Sequence, residues 1–550
     1  GGVRNGATPW KNQTMEIFTP NQLWADFDPA TEQLDSDVFA VRDYDGVEVK
    51  KLYFNGTVFP NGHKTRVLGV VCRPQEGDAT KGVLVVGDYR KPVCVDDLVA
   101  LAKNGFVVMS VDYAGRGNLG TIYPEEQDYL NADVAESLYY VGNSVKDNKI
   151  YEYVKNTRRA IGYMLAEEGV DELSVVGVEN GSYIGTIVLG TDTRISRGTV
   201  VFGPLYATYP LNEADNAELS ERLAEEDVAR AWTMGLAPQS YLMQISAPLY
   251  VVISANSANV DIVEAGKMYY RVNDDSRLLI LPTTLDYLPQ KYIDSVVDWL
   301  KGETVEEDFD LTSFEENGSY GLKLATKSSV ENTSVWYCVN PSHPARYWTK
   351  ADLTPCDDGF TAAIDVYEKD CEVAAFCLID GKVAVSSALT EVKVHNAANV
   401  RLPGNVVFSG AGGQSLIPVR EQSGWWGQNI DARLAKGFLG IVGMEGDGFA
   451  TFGICDPSVK RSQSFTVSFD VCTDVRQNLK IYVVCGYGRD NTTYVCTAKL
   501  IGDGKWQRVT VENADFHRVD DSRPMTDEDR PDCLEIFSES KVIVNNIIVV

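Results

Sequence analysis

The stretch SVVGVENGS, residues 174–182, decides the fold. Its first half is a short valine-rich run, which is typical of a buried strand. Gly177 and Gly181 then enclose three residues, and an apolar run with helical character follows. Glycines at this spacing let a strand turn sharply into a helix, because bulkier side chains would clash there. The stretch therefore predicts a strand, a tight turn centred on Glu179, and a helix.

The flanking regions extend this pattern into an α/β fold. Between residues 81 and 300, short Val/Ile-rich runs alternate with longer amphipathic stretches, which indicates a mostly parallel sheet with helices on both faces. The predicted strands are 81–86, 105–111, 173–176, 199–202, 248–253 and 277–281, and the predicted helices are 95–103, 156–168, 182–189 and 291–300. Two earlier runs, 47–54 and 64–72, predict an antiparallel edge.

The second half of the chain follows a different pattern. From about residue 311, short alternating strands separated by turn residues replace the helical period, as in β-sandwich modules. The acidic stretch 302–310 makes a boundary. We therefore predict three domains, an α/β domain over 1–308 and two all-β sandwich domains over 309–398 and 399–550.

Charge and composition limit the partners of the chain. It carries 78 Asp and Glu against 50 Lys and Arg, a formal charge of −28. A field of this sign repels phosphate backbones, so we predict no nucleic acid partner. The longest apolar runs are strand-sized, so no membrane span is predicted. The opening Gly1-Gly2 suggests a processed N-terminus and an extracellular or cell-surface location, with a cytoplasmic one left open.

Cysteines and acidic clusters give no strong sign of a metal. The 11 cysteines include no CxxC pair, and many lie in strand-like runs, which predicts buried free thiols and no zinc site. The acidic loop 520–532 is a candidate for Ca²⁺ but lacks the spaced ligands of an EF-hand, which favours a solvated loop. No metal and no cofactor are predicted.

The parallel-sheet region resembles the α/β-hydrolase superfamily, in particular multidomain bacterial acetyl xylan esterases and peptidase-like hydrolases. The segment GFVVMSVDYAGRG, residues 105–117, is similar to the family's strand that opens Gly-Phe and runs through Asp into a Gly-x-Gly loop. GVENG, residues 177–181, stands where the family has G-x-S-x-G. The similarity covers roughly residues 40–395 and implies a site built on a Ser-His-Asp triad.

The resemblance places other residues at all three triad positions. Glu179 stands at the nucleophile position, and a carboxylate cannot attack an ester as a His-activated serine does. Ser257 lies in the loop where the acid is expected, and Asp286 occupies the position of the histidine. Residues 81–300 contain no histidine. The main interpretation is therefore a non-catalytic hydrolase-fold protein that acts in binding or structure.

Several alternatives stay open at this turn. A carbohydrate esterase or other hydrolase could use Glu179 in a non-standard site. Glu179 and Asp286 could form an acid/base carboxylate pair of glycosidase type. Ser182, on the first turn of the helix, could be a displaced nucleophile. Against ester hydrolysis, the loop GDYRK at residues 87–91 places an acid beside the expected oxyanion.

The C-terminal module carries a second candidate site. Its end, residues 503–509 and 544–547, resembles jelly-roll carbohydrate-binding modules. Trp425, Trp426 and Tyr487 lie among Gly, Asn and Asp residues, and planar aromatics beside hydrogen-bonding side chains suit sugar rings. We predict that these residues bind a polysaccharide or another glycan. The rival interpretation is that both tryptophans bury against the neighbouring sandwich.

Overall fold

The structure, a computed structural model, describes residues 15–114, 119–131, 138–209, 226–303, 305, 308–341, 345–420, 425–426, 430, 432–460 and 464–550. The chain forms two compact units. The first comprises Gly1–Val252, Glu264–Arg277 and Trp299–Gly302, and the second comprises Ile253–Val263, Leu278–Asp298 and Glu303–Val550. The division into three domains at residues 308 and 398 stays a prediction.

The first unit is built on a mixed sheet. Its strands are β1 (Asp37–Tyr44), β2 (Val47–Val58), β3 (Lys64–Pro74), β4 (Lys81–Val86), β5 (Val107–Val111), β6 (Glu172–Val178), β7 (Arg197–Val201) and β8 (Leu249–Ser254). They lie in the order β1-β2-β3-β5-β4-β6-β7-β8. The strands from β1 to β3, and β3 with β5, pair antiparallel, whereas β5, β4, β6, β7 and β8 are parallel neighbours. The antiparallel edge and parallel centre agree with the expectation from sequence.

The α-helices in the described residues are α1 (Pro20–Trp24), α2 (Val95–Ala102), α3 (Lys149–Glu167), α4 (Gly181–Thr191), α5 (Glu226–Gly235), α6 (Ile262–Tyr269) and α7 (Gln290–Lys301). Helix α3 packs against β2, β4 and β5, and α4 packs against β4, β6 and β7. Helix α3 begins seven residues before its predicted start, because the Asn148 side chain caps it by accepting from the Ile150 N–H. Helix α4 follows β6 directly, so the turn at Glu179 lies in the parallel part of the sheet.

The second unit contains mainly antiparallel strands. They are β9 (Arg277–Leu281), β10 (Phe309–Glu316), β11 (Ser319–Thr326), β12 (Thr333–Val339), β13 (Thr349–Lys350), β14 (Thr354–Cys356), β15 (Gly359–Ala363), β16 (Cys371–Ile379), β17 (Val385–Ser386), β18 (Thr390–Val394), β19 (Val406–Phe408), β20 (Ile417–Pro418), β21 (Arg433–Lys436), β22 (Val442–Thr451), β23 (Thr466–Cys472), β24 (Gln477–Cys485), β25 (Thr492–Leu500), β26 (Trp506–Glu512), β27 (His517–Arg518) and β28 (Pro531–Val549).

Three antiparallel sheets organise this unit. Two of them have the orders β10-β11-β15-β14 and β13-β12-β16-β17, with β18 also on β16. Buried side chains from both, such as Leu322 and Val373, share one hydrophobic core. The third sheet follows β20-β22-β28-β24-β25-β27 and has a core of its own. In addition, β21 pairs with β22, β19 and β23 pair with β28, and β26 pairs with β23. The alternation of short strands and turns in the sequence therefore predicted the β-rich character correctly.

Two further predictions concern the whole chain. Each of the 11 cysteines is free, and seven of them are buried, which agrees with the predicted buried thiols. Burial raises the pKa of the Cys338 thiol to about 12, so that side chain is an inert core residue. Across the described ranges, no helix has both the length and the apolar composition needed to cross a membrane.

Candidate functional site at the strand-to-helix turn

Glu179 lies in the turn between β6 and α4 with a φ of 48°. A left-handed backbone at a residue other than glycine costs roughly 1–3 kcal/mol and needs support from its surroundings. Two backbone hydrogen bonds give that support. The Glu179 N–H donates to the Val201 carbonyl at 2.9 Å, and the Ser182 N–H donates to the Glu179 carbonyl at 3.0 Å. The placement of Glu179 between a strand and a helix matches the expectation from sequence.

The glycines of the turn are required by close packing. A Cβ atom on Gly181 would lie 2.2 Å from the Val86 carbonyl oxygen and 2.3 Å from that of Gly87. A Cβ atom on Gly177 would lie 3.1 Å from the Cα of Ser182. Since backbone atoms cannot move aside cheaply, Gly181 brings the start of α4 directly against the end of β4.

The carboxylate of Glu179 forms an ion pair with Lys91, which follows β4. The Lys91 Nζ lies 3.1 Å from Oε2, and the side chains are 64% and 25% exposed, respectively. Burial raises the pKa of the nearby Asp97, and the charges of Asp96 and Glu179 act in the same direction. Lys91 and the nearby Arg90 therefore both place positive charge beside Glu179.

Asp88 organises the loop between β4 and α2. The Arg90 guanidinium donates to both carboxylate oxygens, at 3.1 and 2.9 Å, and the Asn180 side-chain amide donates to Oδ2 at 3.0 Å. Burial acts to raise the pKa of Asp88, but these hydrogen bonds outweigh it and hold the pKa below its ordinary value. An ionised acid thus contacts Asn180 at the start of α4. The Arg90 guanidinium balances the negative charge of this carboxylate.

Ser182 is sealed inside the first unit. The residue is 0% exposed, and in the described part of the chain its hydroxyl has no hydrogen-bond partner. A Cβ atom on Gly203 would lie 1.8 Å from Ser182 Oγ, which shows how closely the hydroxyl packs against that backbone. A substrate cannot reach this oxygen. The interpretation of Ser182 as a displaced nucleophile is therefore wrong.

The second unit brings Ser257 and Asp286 together. The Ser257 hydroxyl donates to Asp286 Oδ2 at 2.9 Å and accepts the Val260 N–H at 3.1 Å. Asp286 adopts a φ of 50°. This pair joins two loops, with Ser257 engaged in its own turn. Glu179 belongs to the first unit, so an acid/base pair of Glu179 with Asp286 stays a prediction.

The aromatic residues of the C-terminal candidate site differ in exposure. Trp426 and Tyr487 are 7% and 9% exposed, whereas Trp425 is half-buried. The Tyr487 hydroxyl donates to the Asn256 carbonyl at 2.5 Å, and its ring packs edge-on against Phe452. Trp426 and Tyr487 therefore offer no exposed ring face for a sugar to stack on, because both rings are buried against neighbouring side chains. Trp425 is only half-buried, and sugar binding by this set stays a prediction. Residues 421–424 and 427–429 lie outside the described residues.

One group of side chains could hold a metal ion. Ligand atoms of His63, Glu125 and Glu126 lie within 4.8 Å of one another on the surface. The His63 Nδ1 is 2.8 Å from a Glu126 carboxylate oxygen, so these two side chains already satisfy each other. The sequence had not pointed to this group.

Side chains of the acidic loop 520–532 bind within the loop and to the adjacent strand. Asp529 accepts hydrogen bonds from the Tyr494 hydroxyl at 2.9 Å and the Thr526 N–H at 2.8 Å. Arg523 also donates to Asp529, at 3.1 Å. These contacts connect the loop to itself and to the strand that carries Tyr494, and Ca²⁺ binding by the loop stays untested.

Lys91 and Asn180 contact Glu179 and Asp88, respectively, and the sequence pattern does not identify them as site residues. Lys91 is 88 positions from Glu179, and Asn180 is 92 positions from Asp88. The charged composition of GDYRK was a local signal that this loop could form ion pairs. Identifying the partners required the pairing of β4 with β6.

A scan against protein-family models finds no match, and neither does a search of the curated proteins. Among solved structures, the chain is similar to an acetyl xylan esterase from Paenibacillus sp. R4, with 15% identity, 50% of this chain and 90% of that chain covered, and a TM-score of 0.39. Acetyl xylan esterase 1 from Thermoanaerobacterium sp. JW/SL YS485 gives 12% identity, 51% and 91% coverage, and a TM-score of 0.38. A cold-adapted esterase from an Arctic intertidal metagenomic library gives 16% identity, with 48% of this chain and 97% of that chain covered, and a TM-score of 0.34. Similarity at this level carries no conclusion about activity.

Proposed function

We propose that the first unit is a hydrolase-like domain that acts in binding or structure and whose strand-to-helix turn does not hydrolyse esters. The ion pair of Glu179 with Lys91, at 3.1 Å, carries this proposal, because it stands where the resemblance implies a serine nucleophile. The buried Ser182 and the ionised Asp88 support it. So does the absence of histidine from residues 81–300.

An ester hydrolysis assay tests this proposal. The wild type and Glu179→Gln are compared on 4-nitrophenyl acetate, and a fluorophosphonate probe reports activated serines. We expect background turnover from both proteins and no labelling. Turnover by the wild type that Glu179→Gln abolishes would replace binding with catalysis as the function of the turn.

A second candidate function is hydrolysis of a carbohydrate ester through Glu179. The observation that favours it is the retained left-handed turn, which keeps the Glu179 side chain 25% exposed. Release of acetate from acetylated xylan by the full chain measures this activity. Glu264→Gln is the matched control, because Glu264 forms a similar surface ion pair with Lys267 at 3.2 Å. If acetate release survives Glu179→Gln as well as Glu264→Gln, Glu179 has no catalytic role.

For the C-terminal region we propose a jelly-roll-like module that binds a glycan through Trp425. The half-buried ring of Trp425 beside Trp426 supports this, since stacking needs one accessible face. Such a partner fits an extracellular or cell-surface location. Affinity electrophoresis of the full chain over a polysaccharide panel measures retardation, which we expect Trp425→Ala to remove and Trp336→Ala, at another half-buried tryptophan, to leave unchanged. Equal mobility on every glycan would leave the module structural.

A further inference from the structure

The second unit contains a cavity of about 250 Å³ that the proposed function does not use. Its walls are mainly apolar, and its polar groups come from Asn340, Tyr347 and Asp456. Asn340, one of the lining residues, is exposed. Pockets for drug-sized ligands span roughly 300–1,000 Å³, so this cavity suits one small molecule or one side chain.

Asp456 places a carboxylate in the cavity wall with only one oxygen engaged. The residue follows a short 3₁₀ turn, Gly453–Cys455, and is 8% exposed. Its Oδ2 accepts the Ser458 N–H at 3.0 Å and also the Ser458 hydroxyl. Within the described residues, Oδ1 accepts no hydrogen bond. The hydrogen bonds of the turn therefore occupy Oδ2, and Oδ1 can accept a hydrogen bond from a ligand.

The surroundings of Asp456 contain no cation that pairs with it in the described ranges. Its ionisable neighbours in the described residues are the phenols of Tyr337, Tyr347 and Tyr367 and the thiol of Cys338. Burial raises the pKa of Asp456, which reflects the cost of an ionised carboxylate in this place. A ligand that brings a positive charge recovers this cost, and the Tyr347 ring adds a face that attracts cations.

We propose that this cavity binds a primary ammonium group, carried by a small organic amine or by a lysine side chain of a polypeptide. An ammonium offers three N–H donors, which suit Asp456 Oδ1, the Tyr347 hydroxyl and the Asn340 side-chain carbonyl. A neutral hydroxyl would also donate to Asp456, but it would leave the buried charge uncompensated. We therefore expect the positive charge of a ligand to affect its affinity for the cavity more than its shape does.

Calorimetric titration of the full chain tests this inference with n-butylammonium and its uncharged analogue n-butanol. We expect the ammonium to bind at least about tenfold more tightly than the alcohol. Asp456→Asn keeps an oxygen for the Ser458 turn and replaces the open oxygen with an amide, so it should weaken n-butylammonium binding by about tenfold or more. Asp352→Asn removes an exposed charge from the same unit and should leave the affinity unchanged.

Three outcomes overturn the proposal: no binding of n-butylammonium to the wild type, equal binding of n-butanol, or full affinity in Asp456→Asn. If Asp456→Asn unfolds below the assay temperature, Tyr347→Ala takes its place and should also weaken ammonium binding. A second titration uses Nα-acetyl-lysine-N-methylamide. Tighter binding than n-butylammonium, lost in the same variant, supports a polypeptide lysine as the source, and weaker binding supports a free amine.

Discussion

Glu179 and Asp456 are both carboxylates at turns, and their environments differ in solvent exposure and in charged partners. Glu179 lies in a glycine-flanked motif, has a 25% exposed side chain and is paired with Lys91. Asp456 belongs to no motif, is 8% exposed and has no cation beside it in the described residues. A motif therefore locates a turn, whereas the partners that folding supplies decide what its side chain can do.

The two turns also differ in what stabilises them. Backbone hydrogen bonds and the contact of Gly181 with β4 hold the turn at Glu179, so its carboxylate contributes little. The turn at Asp456 also has a backbone hydrogen bond, from the Val459 N–H to the Asp456 carbonyl at 3.0 Å, and its carboxylate adds two hydrogen bonds from Ser458. Gly181→Ala tests backbone packing in the first turn, and Ser458→Ala tests side-chain hydrogen bonding in the second. The loss of unfolding free energy in each variant shows how much that contact stabilises its turn.

The largest effect is expected from Gly181→Ala. The new Cβ would lie 2.2 Å from the Val86 carbonyl oxygen, so the variant should lose about 3 kcal/mol or more of unfolding free energy. Urea unfolding followed by circular dichroism measures the loss. Gly266→Ala in α6 is the control, because its Cβ meets no atom within 4 Å, and it should gain up to about 1 kcal/mol. Equal stability of the two variants would disprove the tight contact of the turn with β4.

Ser458→Ala should give the next largest effect. It removes one of two donors to a buried carboxylate oxygen, which costs about 1.5–3 kcal/mol of unfolding free energy. Ser468→Ala is the control, since its hydroxyl contacts that of Thr510 on an exposed face, and the expected change is below about 0.5 kcal/mol. Similar midpoints in urea for both variants would show that the Asp456 turn does not depend on its side chain.

A pH series sharpens the contrast at Asp456. Burial raises its pKa above 3.8, so the folded state binds this proton more tightly than the unfolded state does. Ionisation of Asp456 therefore destabilises the fold above its folded pKa, and this penalty disappears as the pH falls towards about 4. The melting temperature of Asp456→Asn minus that of the wild type should be larger at neutral pH than at pH of about 4. A difference that grows on acidification would contradict the raised pKa.

The smallest effect is expected from Glu179→Gln. Its partner Lys91 is 64% exposed, and exposed ion pairs contribute only about 0.2–1 kcal/mol. The change in unfolding free energy should fall within that range and shrink further in about 1 M salt, where screening is strong. Glu264→Gln serves as the matched surface pair. A loss above about 2 kcal/mol would mean that the carboxylate itself holds the turn together.

The elements with a strong local pattern were predicted closely. The strands 81–86 and 277–281 have the observed bounds of β4 and β9, because each is a continuous apolar run between polar residues. β1 was missed, since nearly all its residues are exposed and no alternation of buried and exposed positions marks it. The start of α3 was placed late because its cap at Asn148 precedes a stretch of mixed polarity.

Sequence alone determined the succession of strands and helices and the sharp turn at Glu179, because these features depend on residues within a few positions of one another. Tertiary structure alone decided the chemistry. It brought Lys91 to Glu179 across 88 positions and the Tyr487 hydroxyl to Asn256 across 231 positions, and it placed Asp456 in the lining of a cavity. Hydrogen-bond partners and burial arise only when distant segments pack, so a local pattern cannot specify them.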